Sequence, residues 1–341
     1  MRKRIIGAVD HFKDVTNMSD RDVALLARDD NIDIAIDLMG YTLESRPNIF
    51  AFRAAPLQIN FHGFPATMGA NFIDYIIADP TTIPNRLRHH YREKIIYLPH
   101  TYMPTDNTRE ISNRPMTRQE MELPEDGFVF CCFNNNYKIT PREFDIWMRL
   151  LHKVEGSVLW LKQNNQWAKN NLQKEAKLRG IDPSRLVFAG NVSREDHLAR
   201  HKLADLFLDT FSFNANSTAT DALWGGLPLI TKKGEQFVAR CGASYLNAIG
   251  LPTLQGYGLT ETSPVVSCNL PGFVKVETVG PPFRTNEVKI AEDGEILVKG
   301  ENVMLGYWNN KEETDKVLKD GWLYTCLLYT SPSPRDATLS R

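Results

Sequence analysis

The sequence predicts an α/β protein built on parallel sheets, and three observations carry that prediction. Short apolar runs alternate with helical stretches from residue 20 to residue 231. The runs end in polar loops rich in Gly, Asn and Asp, where strands hand over to helices. Residues 204–231, ADLFLDTFSFNANSTATDALWGGLPLIT, condense the pattern into one strand–loop–helix–strand unit.

Bulk properties narrow the class. The chain has 341 residues, enough for two or three domains with real cores. Hydrophobic residues make up 42% and charged residues 24%, an ordinary globular balance. A net charge of −1 argues against a general nucleic-acid or membrane-surface binder. Cysteines at 131, 132, 241, 268 and 326 form no CxxC pair, which fits a reducing compartment without a structural zinc site. The start MRKRIIGAVDHF lacks an apolar signal core, and no apolar run is long enough to span a membrane. A cytoplasmic protein is expected.

In the first part, 1–115, residues 20–30 read as an amphipathic helix and 32–38 as a strand, with a turn at Gly40-Tyr41-Thr42. Further strands are expected at 57–61, 73–77 and 94–98. The 63–69 loop follows a strand and holds two glycines and a proline, so a ligand can approach its backbone. An ordinary tight connection reads those residues equally well. His62 is a candidate acid–base group, although a lone histidine beside a strand is more often packed or solvated. His89-His90 reads as a solvated helix end.

Residues 104–127 are polar and punctuated by Pro, Asn and Asp, and read as the connection between two lobes. The second lobe, 116–251, opens with an apolar strand at 128–133. Thr140-Pro141-Arg142-Glu143 then starts a helix to 151, with proline in its first position. A strand at 157–161, a helix at 165–179, a strand at 186–188 and a helix opened by Ser193-Arg194-Glu195-Asp196 follow. The 204–231 unit comes last, with strands at 206–209 and 227–231 and a helix from about Thr218 to Trp224. This rhythm predicts a Rossmann-like, nucleotide-binding lobe.

Three of its helix starts carry polar groups: Asn135 with Lys138, His197 with Arg200, and Ser217 with Thr218 and Asp221. In a doubly wound sheet they converge on one edge. Ser217 and Thr218 place hydroxyls beside the free N–H groups of a helix start, a seat for phosphate. Asp221 lies one turn on, where a carboxylate can take ribose hydroxyls. Lys138 suits a diphosphate; His197 and Arg200, three apart, suit a base or phosphate. Each has a plainer reading: Thr218-x-x-Asp221 as a capping box, the others as helix-surface charge. The chain contains neither GxGxxG nor GxxxxGK[ST], so neither hydride transfer nor a P-loop NTPase is indicated.

Residues from about 10 to 251 resemble the catalytic region of the O-linked N-acetylglucosaminyltransferase/SPINDLY family. In the first lobe the motifs are Gly40-Tyr41-Thr42, Ala55-Pro56-Leu57-Gln58, Gly63-Phe64-Pro65-Ala66-Thr67 and Asp74-Tyr75-Ile76-Ile77. In the second they are residues 133–141, FNNNYKITP, Leu208-Asp209-Thr210 and residues 214–224. The resemblance implies a GT-B architecture of two Rossmann-like lobes, here truncated. It also implies inverting, metal-independent transfer from a UDP-sugar to a protein Ser/Thr hydroxyl, with no cofactor. Lys138 would stabilise the departing diphosphate, Asn135 would contact the nucleotide, and His197 would pack on uracil near Arg200. Ser217 and Thr218 would hold phosphate beside Asn216, and Asp221 the ribose. Gly63, Phe64 and Pro65 would face the donor sugar. Asn216 stands where the family often has histidine, and Ala66 where it usually has glycine. The fucosyl branch tends to carry glutamate at Asp221, so the aspartate leans toward UDP-GlcNAc. The family's tetratricopeptide array and both outer edges of its catalytic region have no counterpart here, which implies a truncated core.

From about residue 253 the text changes. Tyr257, Gly258, Thr260 and Glu261 resemble the YGxTE motif of AMP-forming acyl-CoA synthetases, where Thr contacts adenylate and Glu holds magnesium. Gly294-Glu295-Ile296, residues 300–308 (GENVMLGYW) and residues 320–325 (DGWLYT) continue that family's order. Residues 252–325 are therefore expected to be a small β-rich synthetase-like fragment, with open sheet edges. Residues 326–341, CLLYTSPSPRDATLSR, match neither family and read as a disordered, adapter-derived tail. The leading expectation is a glycosyltransferase within a chimeric chain. The alternatives are a UDP-binding remnant without turnover, and an acyl-CoA ligase fragment.

Overall fold

The apolar runs form parallel strands in two sheets. The first contains β1 (Ile34–Asp37), β2 (Leu57–Asn60), β3 (Tyr75–Ala78) and β4 (Lys94–Tyr97), side by side in chain order. All its pairings are parallel. The second contains β5 (Val129–Cys132), β6 (Val158–Lys162), β7 (Leu186–Ala189), β8 (Leu206–Leu208) and β9 (Leu229–Ile230). Its spatial order is β7-β6-β5-β8-β9, again parallel throughout. The computed structural model describes residues 2–250, 256–262, 265–269 and 279–328. Both sheets belong to one compact unit, Met1–Ile249; Gly250–Arg341 form another.

Helices α1 (Arg2–Ile6), α2 (Asp20–Asp29) and α3 (Asn48–Ala51) accompany the first sheet. With the second come α4 (Pro141–Lys153), α5 (Gln166–Leu178), α6 (Arg194–Arg200), α7 (Ser217–Trp224) and α8 (Cys241–Ala248). Most boundaries lie within two residues of expectation because local chemistry sets them. The side chains of Ser19, Asn165 and Ser193 accept backbone N–H bonds from Asp22, Ala168 and Asp196, capping α2, α5 and α6. Pro141 opens α4, where its missing N–H costs nothing.

The sheets differ in how they are covered. In β5 and the residue after it both faces are buried: Val129, Cys131 and Phe133 join one core with Trp160, Phe207 and Ala219. Phe130 and Cys132 face a second core with Phe144, Trp147 and Leu159. A strand covered on both sides reads as an unbroken apolar run, which is why this one was legible. In β1, by contrast, Ile34 and Ile36 are 50% and 48% exposed.

Contacts between the loop after β3 and α8 fasten the lobes. Asp79 Oδ2 accepts from the Ser244 hydroxyl (2.7 Å) and the Tyr102 N–H (2.9 Å). Arg240 Nε donates to the Thr81 carbonyl at 2.6 Å. Tyr102 is fully buried against Phe237, ring edge to face at 4.8 Å.

The second unit is β-rich. β10 (Gly256–Tyr257) and β11 (Ser267–Cys268) form an antiparallel pair. β12 (Asn286–Ile290), β13 (Glu295–Gly300), β14 (Leu318–Lys319) and β15 (Trp322–Leu328) form an antiparallel sheet ordered β12-β13-β15-β14. α9 (Lys311–Val317) precedes β14. Leu297, Val298 and Leu323 are buried in this unit. The expected change of sequence at 251–255 and residues 329–341 of the expected tail lie outside the described residues. Among the described residues no helix is long and apolar enough to cross a membrane.

Candidate active site

Strand order singles out one place in the first unit. The chain lays down β5, β6 and β7 in one direction, then returns past β5 to place β8 and β9. In open α/β sheets, ligands bind outside the carboxyl ends of the strands where the order reverses. That point lies between β5, which leads into Asn134–Lys138, and β8, which leads through Asp209 to α7.

A buried polar network joins the two strand ends. One Asp209 oxygen accepts from the N–H of Thr210 (2.8 Å), the N–H of Ala215 (2.6 Å) and Asn134 Nδ2 (3.2 Å). The other accepts from the Thr231 hydroxyl at 2.6 Å. Asn134 Nδ2 also donates to Thr210 Oγ1 at 2.8 Å, while its Oδ1 accepts from Thr218 Oγ1 at 2.6 Å. Burial pushes the Asp209 carboxyl up to about 6 against the pull of its donors. Neither Asn134 nor Asp209 was singled out as a site residue, although both stand inside motifs quoted above.

Lys138 ends a short turn, Asn136–Lys138, directly after β5. Its Nζ donates to the Asn214 carbonyl at 3.1 Å and lies 3.8 Å from the centre of the Phe213 ring. Burial lowers its pKa, and the Asp209 charge opposes that shift. Asn135 is nearby, but its Oδ1 accepts from Lys162 Nζ at 2.9 Å, a second cation that sequence reading missed.

The capping-box reading of Thr218 and Asp221 is overturned. α7 begins at Ser217, one residue before the expected start, so Asn216 occupies the cap position. The Asn216 side chain accepts from the Tyr245 hydroxyl instead of capping the helix. Thr218 spends its hydroxyl proton on Asn134, and Ser217 remains exposed at the helix start. Asp221 pairs with Arg109, from the inter-lobe connection.

His197 and Arg200 share a face of α6, yet neither is a free surface charge. Arg200 is only 4% exposed; its guanidinium lies 4.6 Å from the Phe133 ring centre and donates to the Gly190 carbonyl at 2.8 Å. This corrects both its reading as surface charge and its candidacy for phosphate, because the cation is packed inward. His197 stands beside Phe133 and His201, at 5.5 and 4.8 Å between ring centres. Burial and then the charges of His201, Arg200 and Lys162 drive its pKa down to about 3. At neutral pH His197 is thus uncharged, and its 3.9 Å approach to Asp221 is not an ion pair.

In the first lobe, the loop after β2 presses on the loop after β1. A Cβ on Gly63 would stand 1.9 Å from the Leu38 carbonyl oxygen, so only glycine fits. Phe64 packs edge-on against Tyr41 at 5.5 Å, and its carbonyl accepts from Asn60 Nδ2. His62 Nε2 lies 2.9 Å from the Met103 sulfur, and burial lowers its pKa, as suits a packed histidine. Pro65 lines a cleft of about 340 Å³ with Ala66, Leu87, Tyr91, Phe237 and Val238. The groups at the β5/β8 reversal do not line that cleft, so the two places are different.

In the second unit Tyr257 sits in β10, followed by Gly258. Glu261 Oε1 accepts from the Tyr307 hydroxyl at 3.1 Å, and its carbonyl from the Met304 N–H at 2.7 Å. The Thr260 side chain lies outside the described residues.

Two parallel-sheet lobes, the second carrying a polar crevice at its strand-order reversal, define a GT-B type glycosyltransferase fold. Comparison with known proteins names the family: the sequence pattern of glycosyl transferase family 41 matches residues 1–113 and 110–266. The chain belongs to that family. It is 36% identical over 267 residues to a probable UDP-N-acetylglucosamine–peptide N-acetylglucosaminyltransferase, SEC, of Arabidopsis thaliana, covering 77% of this chain and 27% of that protein. A Caenorhabditis elegans UDP-N-acetylglucosamine–peptide N-acetylglucosaminyltransferase is 27% identical over 365 residues, covering 74% and 32%. Among solved structures, a point mutant of the Thermobaculum terrenum O-GlcNAc transferase superposes with a TM-score of 0.67 at 28% identity, covering 73% of this chain and 47% of the other. The chain thus spans about a quarter to a third of those two curated relatives.

Proposed function

We propose that this chain transfers N-acetylglucosamine from UDP-GlcNAc to a Ser or Thr hydroxyl of a protein acceptor, with inversion and without a metal or cofactor. The supporting observation is the convergence of Lys138, His197, Ser217 and Asp221 on the strand ends and helix starts around the β5/β8 reversal. Neutral His197 suits uracil, Asp221 suits the ribose, and Lys138 with the start of α7 suits the diphosphate. The Gly63-Phe64-Pro65 loop would meet the sugar. In the reaction the acceptor oxygen bonds to the anomeric carbon as the bond to the diphosphate oxygen breaks. UDP leaves with that electron pair, and the acceptor's proton passes to the departing diphosphate or to water. Stabilising the charge on UDP is therefore the main task, and Lys138 would be the cation that performs it.

The test measures transfer from labelled UDP-GlcNAc to a protein acceptor alongside UDP binding. Lys138→Met should lower kcat by roughly 10²–10³-fold, the size seen when one stabilising donor is removed. Undiminished transfer would remove Lys138 from that role. A second reading, UDP binding without turnover, is favoured by the bond from Lys138 Nζ to the Asn214 carbonyl, which ties the cation to the protein. Saturable UDP binding with no transfer by the wild-type chain would select it.

For residues 252–325 we propose descent from an AMP-forming acyl-CoA synthetase, joined to a family 41 core and followed by a non-native tail. The order of the YGLTE, GEI, GENVMLGYW and DGWLYT segments supports this reading. No adenylate formation is expected. ATP–pyrophosphate exchange dependent on a fatty acid would overturn that expectation.

A further inference from the structure

We infer that Arg109 is a positioning residue for the nucleotide, holding Asp221 so that one carboxylate oxygen faces the ribose. The inference rests on the proposed UDP-sugar reading. Arg109 belongs to the stretch joining the lobes, far in sequence from α7, and nothing in its surroundings there marks it for a role.

The structure encloses it on three sides. Its Nη1 donates to Asp221 Oδ1, and the side chain is only 5% exposed. Nη2 lies 3.5 Å from the Thr220 carbonyl, on the same turn of α7. The guanidinium carbon stands 5.2 Å from the centre of the Trp224 ring, and Trp224 Nε1 donates back to the Arg109 carbonyl at 3.2 Å. The arginine is therefore fixed through both main chain and side chain, and its planar fork has one orientation. Because Asp221 Oδ1 is engaged, Oδ2 is the oxygen left for a ligand, 3.9 Å from His197 Nε2. The charge matters as well as the geometry. Burial raises the Asp221 pKa, and the Arg109 charge is the largest opposing influence, favouring the ionised carboxylate that accepts hydroxyl donors best.

Titration calorimetry of the full chain with UDP and with 2′,3′-dideoxy-UDP separates the possibilities. Wild type should bind UDP roughly 10–100-fold more tightly than the dideoxy compound, the worth of hydrogen bonds to a charged group. Arg109→Ala should weaken UDP about tenfold and the dideoxy compound less than twofold, collapsing the ratio. Arg109→Lys, which keeps a cation near Oδ1, should restore part of that ratio. Should Arg109→Ala not fold, Arg109→Gln takes its place with the same expectation. A merely structural arginine would weaken both ligands equally, and that result overturns the inference. So does a gain in UDP affinity, which would make Arg109 a competitor for the carboxylate. Absence of discrimination in wild type would instead refute the ribose assignment itself, and the inference with it.

Discussion

Arg200 Nη2 donates to His197 Nδ1 at 2.6 Å, so the imidazole that would face the base is held as its neutral Nε2–H tautomer. His201 takes the opposite tautomer: its Nδ1 donates to the His197 carbonyl at 2.8 Å, and burial brings its pKa down to about 4. α6 thus presents an uncharged aromatic group backed by a buried cation.

That relationship is testable. Nitrogen chemical shifts of His197 should show a neutral ring, protonated at Nε2, across pH 5–8. Arg200→Met keeps the packing volume beside Phe133 but removes both the donor and the like charge, so the His197 pKa should rise from about 3. UDP affinity should fall at the same time. A His197 signal titrating near 6.5 in wild type would contradict the assignment.

Asp209 ties stability to pH. Its carboxyl ionises near 6 in the folded chain against 3.8 for the free group, so the folded state favours the protonated form. The stabilisation from this group is present below pH 3.8 and is lost as pH rises through about 6. The difference in unfolding free energy between wild type and Asp209→Asn should therefore move by roughly 3 kcal/mol between pH 3.5 and 7, in favour of wild type at the acid end. Parallel denaturation curves with no pH-dependent difference would rule this out.

Asn134 supplies both hydrogens and its oxygen to Asp209, Thr210 and Thr218. Asn134→Ala should cost about 2–4 kcal/mol in urea unfolding, because it strands the buried Asp209 and Thr210 after β8 and the Thr218 hydroxyl on α7. It should also free the start of α7, seen as faster amide exchange at Ser217 and Thr218. Loss of stability without faster exchange there would mean that Asn134 does not position the helix.

Gly63 has no room for a side chain. Its requirement is close approach to Leu38, whereas Gly40 needs both space and a positive φ of 53°. Gly63→Ala should destabilise by about 3 kcal/mol and displace the 63–65 loop. If that loop meets the donor sugar, KM for UDP-GlcNAc should rise while affinity for UDP alone holds. Equal loss of both would detach the loop from the sugar.

The sequence by itself determined the alternation of strands and helices and the polar loops at the strand ends of the second lobe. Those features are written locally: unbroken apolar runs for strands buried on two faces, Ser, Asn and Pro at helix starts, and polar loops at strand ends. The positions of Lys138, His197, Ser217, Thr218 and Asp221, on the turns and helices that follow strands, were legible for the same reason. Which of their groups stay available was decided by tertiary structure. Thr218 is consumed by Asn134, Arg200 turns inward onto Phe133, Asn216 serves Tyr245, and Asp221 is met by Arg109, 112 residues away in the chain. Periodicity and capping act within about one helical turn, so they cannot report a partner that arrives from another lobe's connection. Burial, which moves Asp209 and His197 in opposite directions of pKa, is likewise a property of the packed chain and not of its neighbours in sequence.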